Sequence, residues 1–385
     1  MVNSTDFLVI GAGISGASAA YELSKMGTVT LLERERQPGY HTTGRSAALF
    51  VEAYGNTVIR AITRASRAFY DNPPDEFAGA QLLSPRGSLL VATEQTRNAL
   101  EAEFAKVRLF SETVRKVDAT EVHCLHPGLN PELIIGGLYF PDDSDIDVAA
   151  LHLGFIRGMR AKGGLLRTDA EVLSLARNGS VWRAKTQVGD FEASVVVNAA
   201  GAWADEIGAL VGAAPIGLVP KRRTAFTFDA PEWIDPSVLP GVIAADESWY
   251  VKPESGQLLG SPADETPTAP CDAQAEELDL AIAVDRIQAH TVFKIDRLAS
   301  KWAGLRSFVA DKSMVAGIQP GLEGFCWCAG QGGYGIQTAP AMGRITAALA
   351  CDSPFPADII AQEVTPADLA PDRIALEGAE RFKGQ

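Results

Sequence analysis

In Phe7-Leu8-Val9-Ile10-Gly11-Ala12-Gly13-Ile14-Ser15-Gly16 a short apolar run breaks into a glycine-rich turn, and an Ala-rich helical pattern continues from Ala17 to about Met26. The run has the character of a strand buried on both faces, and Gly27 stands where a C′ glycine would end the helix. Val29-Thr30-Leu31-Leu32 then reads as a second strand, closed by Glu33 twenty residues beyond Gly13. Each glycine has its own task in such a unit. Gly11 makes the tight turn, Gly13 lets a pyrophosphate approach the backbone, and Gly16 lets the helix pack on the strand. The helix start at Ile14 and Ser15 offers free N–H groups and a positive dipole end to phosphate. Glu33, followed by Arg34, is placed to accept from a ribose hydroxyl, and its charge would repel a 2′-phosphate. This order of strand, glycine turn, helix, strand and acid marks a dinucleotide-binding βαβ start, without separating NAD from FAD.

Working outward, the pattern is helical over residues 60–69, 96–107 and 149–162, and strand-like over 89–92 and 134–140. Val195-Val196-Val197-Asn198 is again a fully apolar strand, ending in Ala199-Ala200-Gly201. Residues 224–228, 249–251 and 258–260 read as antiparallel strands, the last two joined by a turn at Pro253-Glu254-Ser255-Gly256. Residues 262–272, rich in Pro, Ala and acid, read as a mobile loop. Residues 325–328 form a strand that leads through Gly330-Gln331-Gly332-Gly333-Tyr334-Gly335 into a helix reaching about Leu349. The polar end from Pro371 is expected to be loosely held. Parallel-type strands at the start, middle and end, with antiparallel ones between, predict an α/β fold with an α+β insert. A Rossmann-like cofactor domain would be built from the discontinuous segments 1–85, 145–215 and 305–385. An inserted antiparallel-sheet substrate domain would comprise 86–144 and 216–304.

Composition narrows the function classes. The chain has 385 residues, 46% of them hydrophobic, with 34 Lys and Arg against 48 Asp and Glu, a net charge of −14. So strong a negative balance argues against nucleic acid as the main partner, since phosphate binding rests on clustered cations. No apolar run approaches the ~18 residues of a membrane span, and the amino terminus lacks the features of a signal peptide. Cys124, Cys271, Cys326, Cys328 and Cys351 are few, odd in number and scattered, which suits a reducing cytoplasm better than a disulfide framework. Cys326-Trp327-Cys328 has no second cluster, so it reads as strand packing and not as a metal site. The five histidines show no ligand spacing, and no metal is expected. Glu276, Glu277 and Asp279 read as dipole compensation at a helix start.

Just past the ribose position, Gln37-Pro38-Gly39-Tyr40-His41-Thr42-Thr43-Gly44-Arg45-Ser46-Ala47-Ala48 sets out hydroxyls, a glycine and an arginine. Here the chain resembles the D-amino-acid oxidase-like flavoprotein superfamily, the group containing sarcosine and glycine oxidases, and within it the bacterial D-arginine dehydrogenases. The resemblance recurs in order over residues 39–48, 66–74, 197–203, 221–223, 302–311 and 331–338. It implies FAD, held by the glycine turn, Glu33 and Arg34, and by the stretch from Thr42, Thr43 and Gly44 through Arg45, Ser46, Ala47 and Ala48 beside the pyrophosphate and isoalloxazine. Val172 would meet the adenine through its backbone, and Gly201 and Trp203 would close over the cofactor. Gly332, Gly333, Tyr334 and Gly335, continued by Ile336 and Gln337, would set a helix N-terminus near flavin N1 and the C2 carbonyl, where reduced flavin carries negative charge. Some relatives bind FAD through a cysteine, and none lies between Arg306 and Gly324, so the cofactor is expected to be noncovalent.

The same resemblance implies oxidation of an amino acid, most simply a D-amino acid, to the 2-oxo acid and ammonia, with hydride passing to flavin N5 and an acceptor the sequence does not name. Arg223 and Arg306 are the expected carboxylate ligands, because a planar, always-charged donor suits that group; Arg222 is the weaker of the adjacent pair. Tyr54, Tyr250 and Gly333 would complete the substrate site. Three positions depart from the D-arginine dehydrogenases. Ser88 stands for a glutamate that pairs with the cationic side chain, Leu49 for a histidine beside the flavin, and Val51 for a hydroxyl residue. The expected pocket therefore prefers neutral side chains, unless Glu52 or an acid of residues 262–272 restores the charge. Rival readings are an oxidase of N-methyl or other secondary amino acids, and a flavin-bearing subunit that needs a partner for turnover.

Overall fold

The computed structural model describes residues 3–77 and 79–374. The glycine turn sits at the carboxyl edge of an eight-stranded sheet. Asn3–Ile10 lies at its centre, parallel to Val29–Leu32 on one side and to Gly189–Asn198 on the other. Leu165–Arg167 extends the sheet beyond Val29–Leu32, and Phe325–Ala329 pairs in parallel with the end of Gly189–Asn198. Antiparallel strands Val172–Asn178, Val181–Thr186 and Val315–Ile318 complete it. The central strands are apolar on both faces because both are covered: Val9 and Val197 pack with helix residues Ala20, Leu23, Ala347 and Ala350, while Leu8, Val196 and Phe325 pack with Leu175, Trp182 and Ala184 of the antiparallel strands. None of the five has exposed surface.

The first helix is Ile14–Leu23, packed against the helix Gly335–Ala350. It ends earlier than the sequence suggested. Ser24 caps it, donating its hydroxyl to the Tyr21 carbonyl at 2.6 Å, and Gly27 is not in the left-handed conformation of a C′ glycine. Gly27 is instead required by a close passage: a Cβ there would lie 2.8 Å from Asp6 Oδ2 and 3.0 Å from the Phe7 ring.

The second sheet has nine strands, among them Ser88–Ala92, Gly136–Phe140, Val219–Phe228, Gly241–Ala244, Tyr250–Glu254, Gln257–Ser261 and Ser300–Phe308. Its two faces are read from the register. Leu89, Val242, Val251 and Phe226 lie in one row and form a core with Ala283 and Ile287 of the helix Glu277–His290. The alternate residues, among them Tyr250, Arg223 and Arg306, lie on the other face. This parity separates the adjacent arginines. Arg222 turns to the helix side and pairs with Glu276 and with Asp279 at 2.8 Å, while Glu277 pairs with Lys301. The acidic helix start thus makes specific ion pairs, beyond the dipole compensation expected of it. Residues 262–272 are likewise tied down: Thr266–Pro267 adds a short strand to Val219–Phe228, and Asp264 accepts from the Thr224 N–H and hydroxyl. The end from Pro371 begins as a 3₁₀ turn, Pro371–Ile374, and its continuation lies outside the described residues.

The second core holds one misplaced polar group. His126 is 1% exposed beside Phe293, and neither ring nitrogen has a hydrogen-bond partner among the described residues. Burial pulls its imidazolium pKa down to about 4. The folded protein therefore carries a neutral ring, and its stability is full above the ordinary value near 6.5. As pH falls from 6.5 towards 4 the unfolded chain takes up a proton that the folded one refuses, a loss of about 3 kcal/mol. His126→Leu should flatten the pH dependence of thermal unfolding in that window; an unchanged slope would show that other groups set it.

Candidate active site

A deep cavity runs between the two sheets. The Gly11 turn, Ser15, Glu33, Arg34 and Val172 line one part, Thr42, Thr43, Arg45, Ser46 and Ala47 another, and Arg223, Tyr250, Arg306, Gly332 and Gly333 the part against the second sheet. Gly201, Trp203, Gly335 and Ile336 also reach it.

The turn is built for a ligand's approach. Gly11 has φ +98°, and its N–H donates to the Leu32 carbonyl at 2.8 Å. Glu33 is 8% exposed; its carboxylate accepts from the Ala12 N–H at 2.9 Å and from the Glu35 N–H at 3.0 Å. Burial raises its pKa despite those bonds. His152, which the sequence left unassigned, contacts the Ala12 carbonyl at 2.8 Å through Nε2 and steadies the turn from below. The Thr43 hydroxyl accepts from the Ile14 N–H at 3.0 Å at the helix start. Trp203 is flanked by the Arg34 guanidinium, 5.0 Å from the ring centroid, and by the His41 ring at 4.7 Å. His41 and Tyr40 also line the cavity and carried no signal in the sequence beyond their place in the 37–48 segment.

Two cations dominate the part against the second sheet. Lys221 pairs with Arg306 and Arg223 with Gly304 across adjacent strands, so both arginines share one face. Arg223 Nε donates to the Asp264 carbonyl at 2.8 Å, and its Nη2 stands 3.4 Å from Glu265. Burial, and then the neighbouring Arg306, hold its pKa below the usual value. Arg306 Nη1 reaches the Tyr54 hydroxyl at 3.5 Å and has no carboxylate within ion-pair distance among the described residues. A Cβ at Gly333 would lie 3.2 Å from its Cζ, so glycine leaves that guanidinium its room. Glu265 is shared with Lys221, so the cluster keeps an excess of positive charge that suits a ligand carboxylate.

Other expected site residues serve from behind the wall. Gly16 packs under the turn, and the Gly44 N–H donates to the Gly39 carbonyl at 2.8 Å. Ala48 accepts from the Ile146 N–H. Tyr334 packs on Tyr54, ring centroids 4.8 Å apart. Gln337, 3% exposed, holds both backbone groups of Val51 and donates to the Thr63 hydroxyl at 2.9 Å. Arg45 lines the cavity, but its guanidinium is engaged by Asp272 and by the carbonyls of Ala273 and Ala303. Leu49, Val51, Tyr54 and Ser88 are not in the cavity lining itself. Glu52, proposed as a substitute acid, faces Arg67 at 3.6 Å. The acid beside Ser88 is neither Glu52 nor one of residues 262–272: Ser88 donates to the buried carboxylate of Asp143, which lies far away in sequence and had no motif to reveal it.

The lining fits FAD. A long cavity with a phosphate-type turn and helix start, an acid after the second strand, an aromatic cover and an apolar-to-cationic far part has the donor set that an extended dinucleotide requires. No cysteine is among the lining residues, in keeping with noncovalent binding. When bound, FAD supplies the two-electron chemistry that no side chain here can perform. Among the described residues no cluster of His, Cys, Asp and Glu could hold a metal, and no helix is long and apolar enough to cross a membrane.

Comparison with known proteins agrees. The glycine oxidase of Geobacillus kaustophilus is 25% identical over 381 residues, covering 96% of this chain and 97% of its own. Its crystal structure superposes with a TM-score of 0.79 over 92% of this chain and 97% of that chain, at 23% identity. The iminodiacetate oxidase of Chelativorans sp. BNC1 reaches 0.80, over 95% and 98%, also at 23% identity. The mitochondrial dimethylglycine dehydrogenase of Rattus norvegicus is 29% identical over 260 residues, 66% of this chain; the match spans only 30% of that longer protein. The family model described as "DAO: FAD dependent oxidoreductase" matches residues 6–349. The chain therefore belongs to the DAO family of FAD-dependent oxidoreductases.

Proposed function

We propose that the protein oxidises the Cα–N bond of a D-amino acid with a neutral side chain, giving the imino acid and, after hydrolysis, the 2-oxo acid and ammonia. The observation that carries this reading is the pair Arg223 and Arg306, two guanidinium groups on one face of the second sheet whose one ion-pair partner among the described residues is Glu265, shared with Lys221. An amino acid's carboxylate would be fixed there by charge-assisted bonds, with the Tyr54 hydroxyl beside Arg306 and Tyr250 lining the same space. Among the described residues the acids near them are already engaged, Glu265 by Lys221 and Arg223 and the Asp264 carboxylate by Thr224. The amine proton accordingly leaves to water. The preference for neutral side chains rests on the resemblance, in which apolar Leu49 and Val51, outside the cavity lining itself, replace polar groups; an apolar setting favours neutral side chains by roughly 0.8 kcal/mol per buried methylene.

A second reading is oxidation of an N-methyl or other secondary amino acid, supported by the similarity to dimethylglycine dehydrogenase over 66% of this chain. Anaerobic reduction of the bound flavin by D-, L- and N-methyl amino acids separates the two. Fastest bleaching by D-amino acids with ammonia as product supports the first; formaldehyde from sarcosine or dimethylglycine supports the second. Bleaching by the purified protein alone would also dispose of an obligatory partner subunit.

A further inference from the structure

Three residues that line the FAD cavity, Tyr40, His41 and Arg45, converge on one acid outside the lining, Asp272. The three belong to the segment that follows Val29–Leu32 of the first sheet. Asp272 belongs to the segment that follows Thr266–Pro267 of the second. The contact therefore joins the two sides between which the cavity runs. The wall meets solvent here: Tyr40 lines the cavity yet is 45% exposed, and the Asp272 side chain is 46% exposed.

Arg45 is the hub of the contact. Its Nη1 donates to the carbonyls of Ala273 at 2.8 Å and Ala303 at 3.0 Å, and its Nη2 donates to Asp272 Oδ1. The Arg45 bond holds the Asp272 carboxyl below its ordinary pKa, so the acid is ionised at neutral pH. Its other oxygen accepts from the Tyr40 hydroxyl at 3.3 Å, and the Tyr40 ring centroid lies 5.2 Å from the Arg45 guanidinium. His41 stands between two acids, with Nε2 3.0 Å from Glu35 and Nδ1 4.0 Å from Asp272.

Both ends are anchored from behind. The Thr42 hydroxyl donates to the Leu305 carbonyl at 2.8 Å, and Trp302 Nε1 donates to the Arg45 carbonyl at 3.1 Å. Ala273, 4% exposed, packs with Ala202, Ala303 and Leu305, which fixes the backbone next to Asp272. Removing the Asp272 carboxylate would leave these anchors in place and free only the Arg45 Nη2 and the Tyr40 hydroxyl. A half-exposed ion pair adds little to folding, so its effect falls on the wall it holds.

We propose that Asp272 is a positioning residue for the cofactor: by tying Arg45 and Tyr40 across the cavity it holds this wall shut and slows the release of FAD. The role depends on FAD in this cavity and on no choice of amino-acid substrate.

The test measures FAD release from diluted holoenzyme, as flavin fluorescence passing an ultrafiltration membrane over time, beside thermal unfolding of the apoproteins. Asp272→Ala should speed release at least about tenfold, while Asp272→Glu, which restores the charge, should stay within about threefold of wild type. Tyr40→Phe should speed release about threefold in the wild-type background and add nothing to Asp272→Ala, where the hydroxyl has already lost its partner. The apoprotein midpoint of Asp272→Ala should stay within about 3 °C of wild type. Unchanged release from Asp272→Ala would overturn the proposal, as would an equal effect of Tyr40→Phe in both backgrounds. Slower release would overturn it too, by showing that Asp272 competes with the cofactor for Arg45. Faster release joined to a midpoint lowered beyond that range would assign Asp272 to the fold instead.

Discussion

Arg306→Met should leave FAD bound and cut kcat/KM for the best amino acid by a cost of about 2–5 kcal/mol, roughly thirtyfold to several thousandfold. The size follows from what the residue faces. Arg306 is half-buried against Gly333, and among the described residues its one hydrogen bond is a long contact to the Tyr54 hydroxyl and no carboxylate pairs with it. Its charge is available for a substrate, and removing it leaves a buried carboxylate without its strongest donor. Arg223→Met should follow in the same direction with a smaller loss, because Arg223 already donates to Asp264 and faces Glu265. Lysine at 306 should recover part of the loss only, since an ammonium cannot make the bidentate pair. The measurement is stopped-flow flavin reduction with a flavin-content control. If both methionine variants stayed within threefold of wild type, these arginines would have no place in substrate binding.

The cofactor half was legible because its signals are local. A buried strand, a turn that needs φ +98° at Gly11 and a helix start all fall within a dozen residues, and Glu33 ends the adjacent strand. The separation of Arg223 from Arg222 follows from strand parity once Val219–Phe228 is placed in its sheet, and Arg222 falls on the side of Glu276 and Asp279. What the sequence did not yield is long-range. Asp264 and Glu265 were visible as an acidic stretch, yet their role needs the strand Thr266–Pro267 laid beside Val219–Phe228. Asp143 reaches Ser88 only because Ser88–Ala92 pairs with Gly136–Phe140, a contact across more than fifty residues. Gln337 was expected at the cofactor, and it braces Val51 instead, a matter of which way one side chain on a helix start turns.

Gly16→Ala and Gly13→Ala should fail in different ways. At Gly16 a Cβ would overlap the Gly11 carbonyl oxygen, which belongs to a turn fixed by its bond to Leu32, and would press on Ala199 Cβ at 3.3 Å. The helix must lift from the sheet, so the apoprotein itself should lose at least about 3 kcal/mol, the upper range of overpacking. Gly13 presents the opposite case. Its φ of −72° and ψ of −176° are open to any residue, and a Cβ would meet only the Thr43 hydroxyl at 3.3 Å. Among the described residues nothing in the protein's own packing demands glycine there; the close approach of a phosphate would. Gly13→Ala should therefore leave apoprotein unfolding within about 1 kcal/mol of wild type, while FAD affinity falls at least tenfold, about 1.4 kcal/mol. Thermal unfolding of the apoproteins and titration with FAD, followed by quenching of flavin fluorescence, separate the two. Equal losses of apoprotein stability in both variants would show that Gly13 serves the fold and not the ligand. Tight FAD binding by Gly13→Ala would remove that turn from the cofactor site.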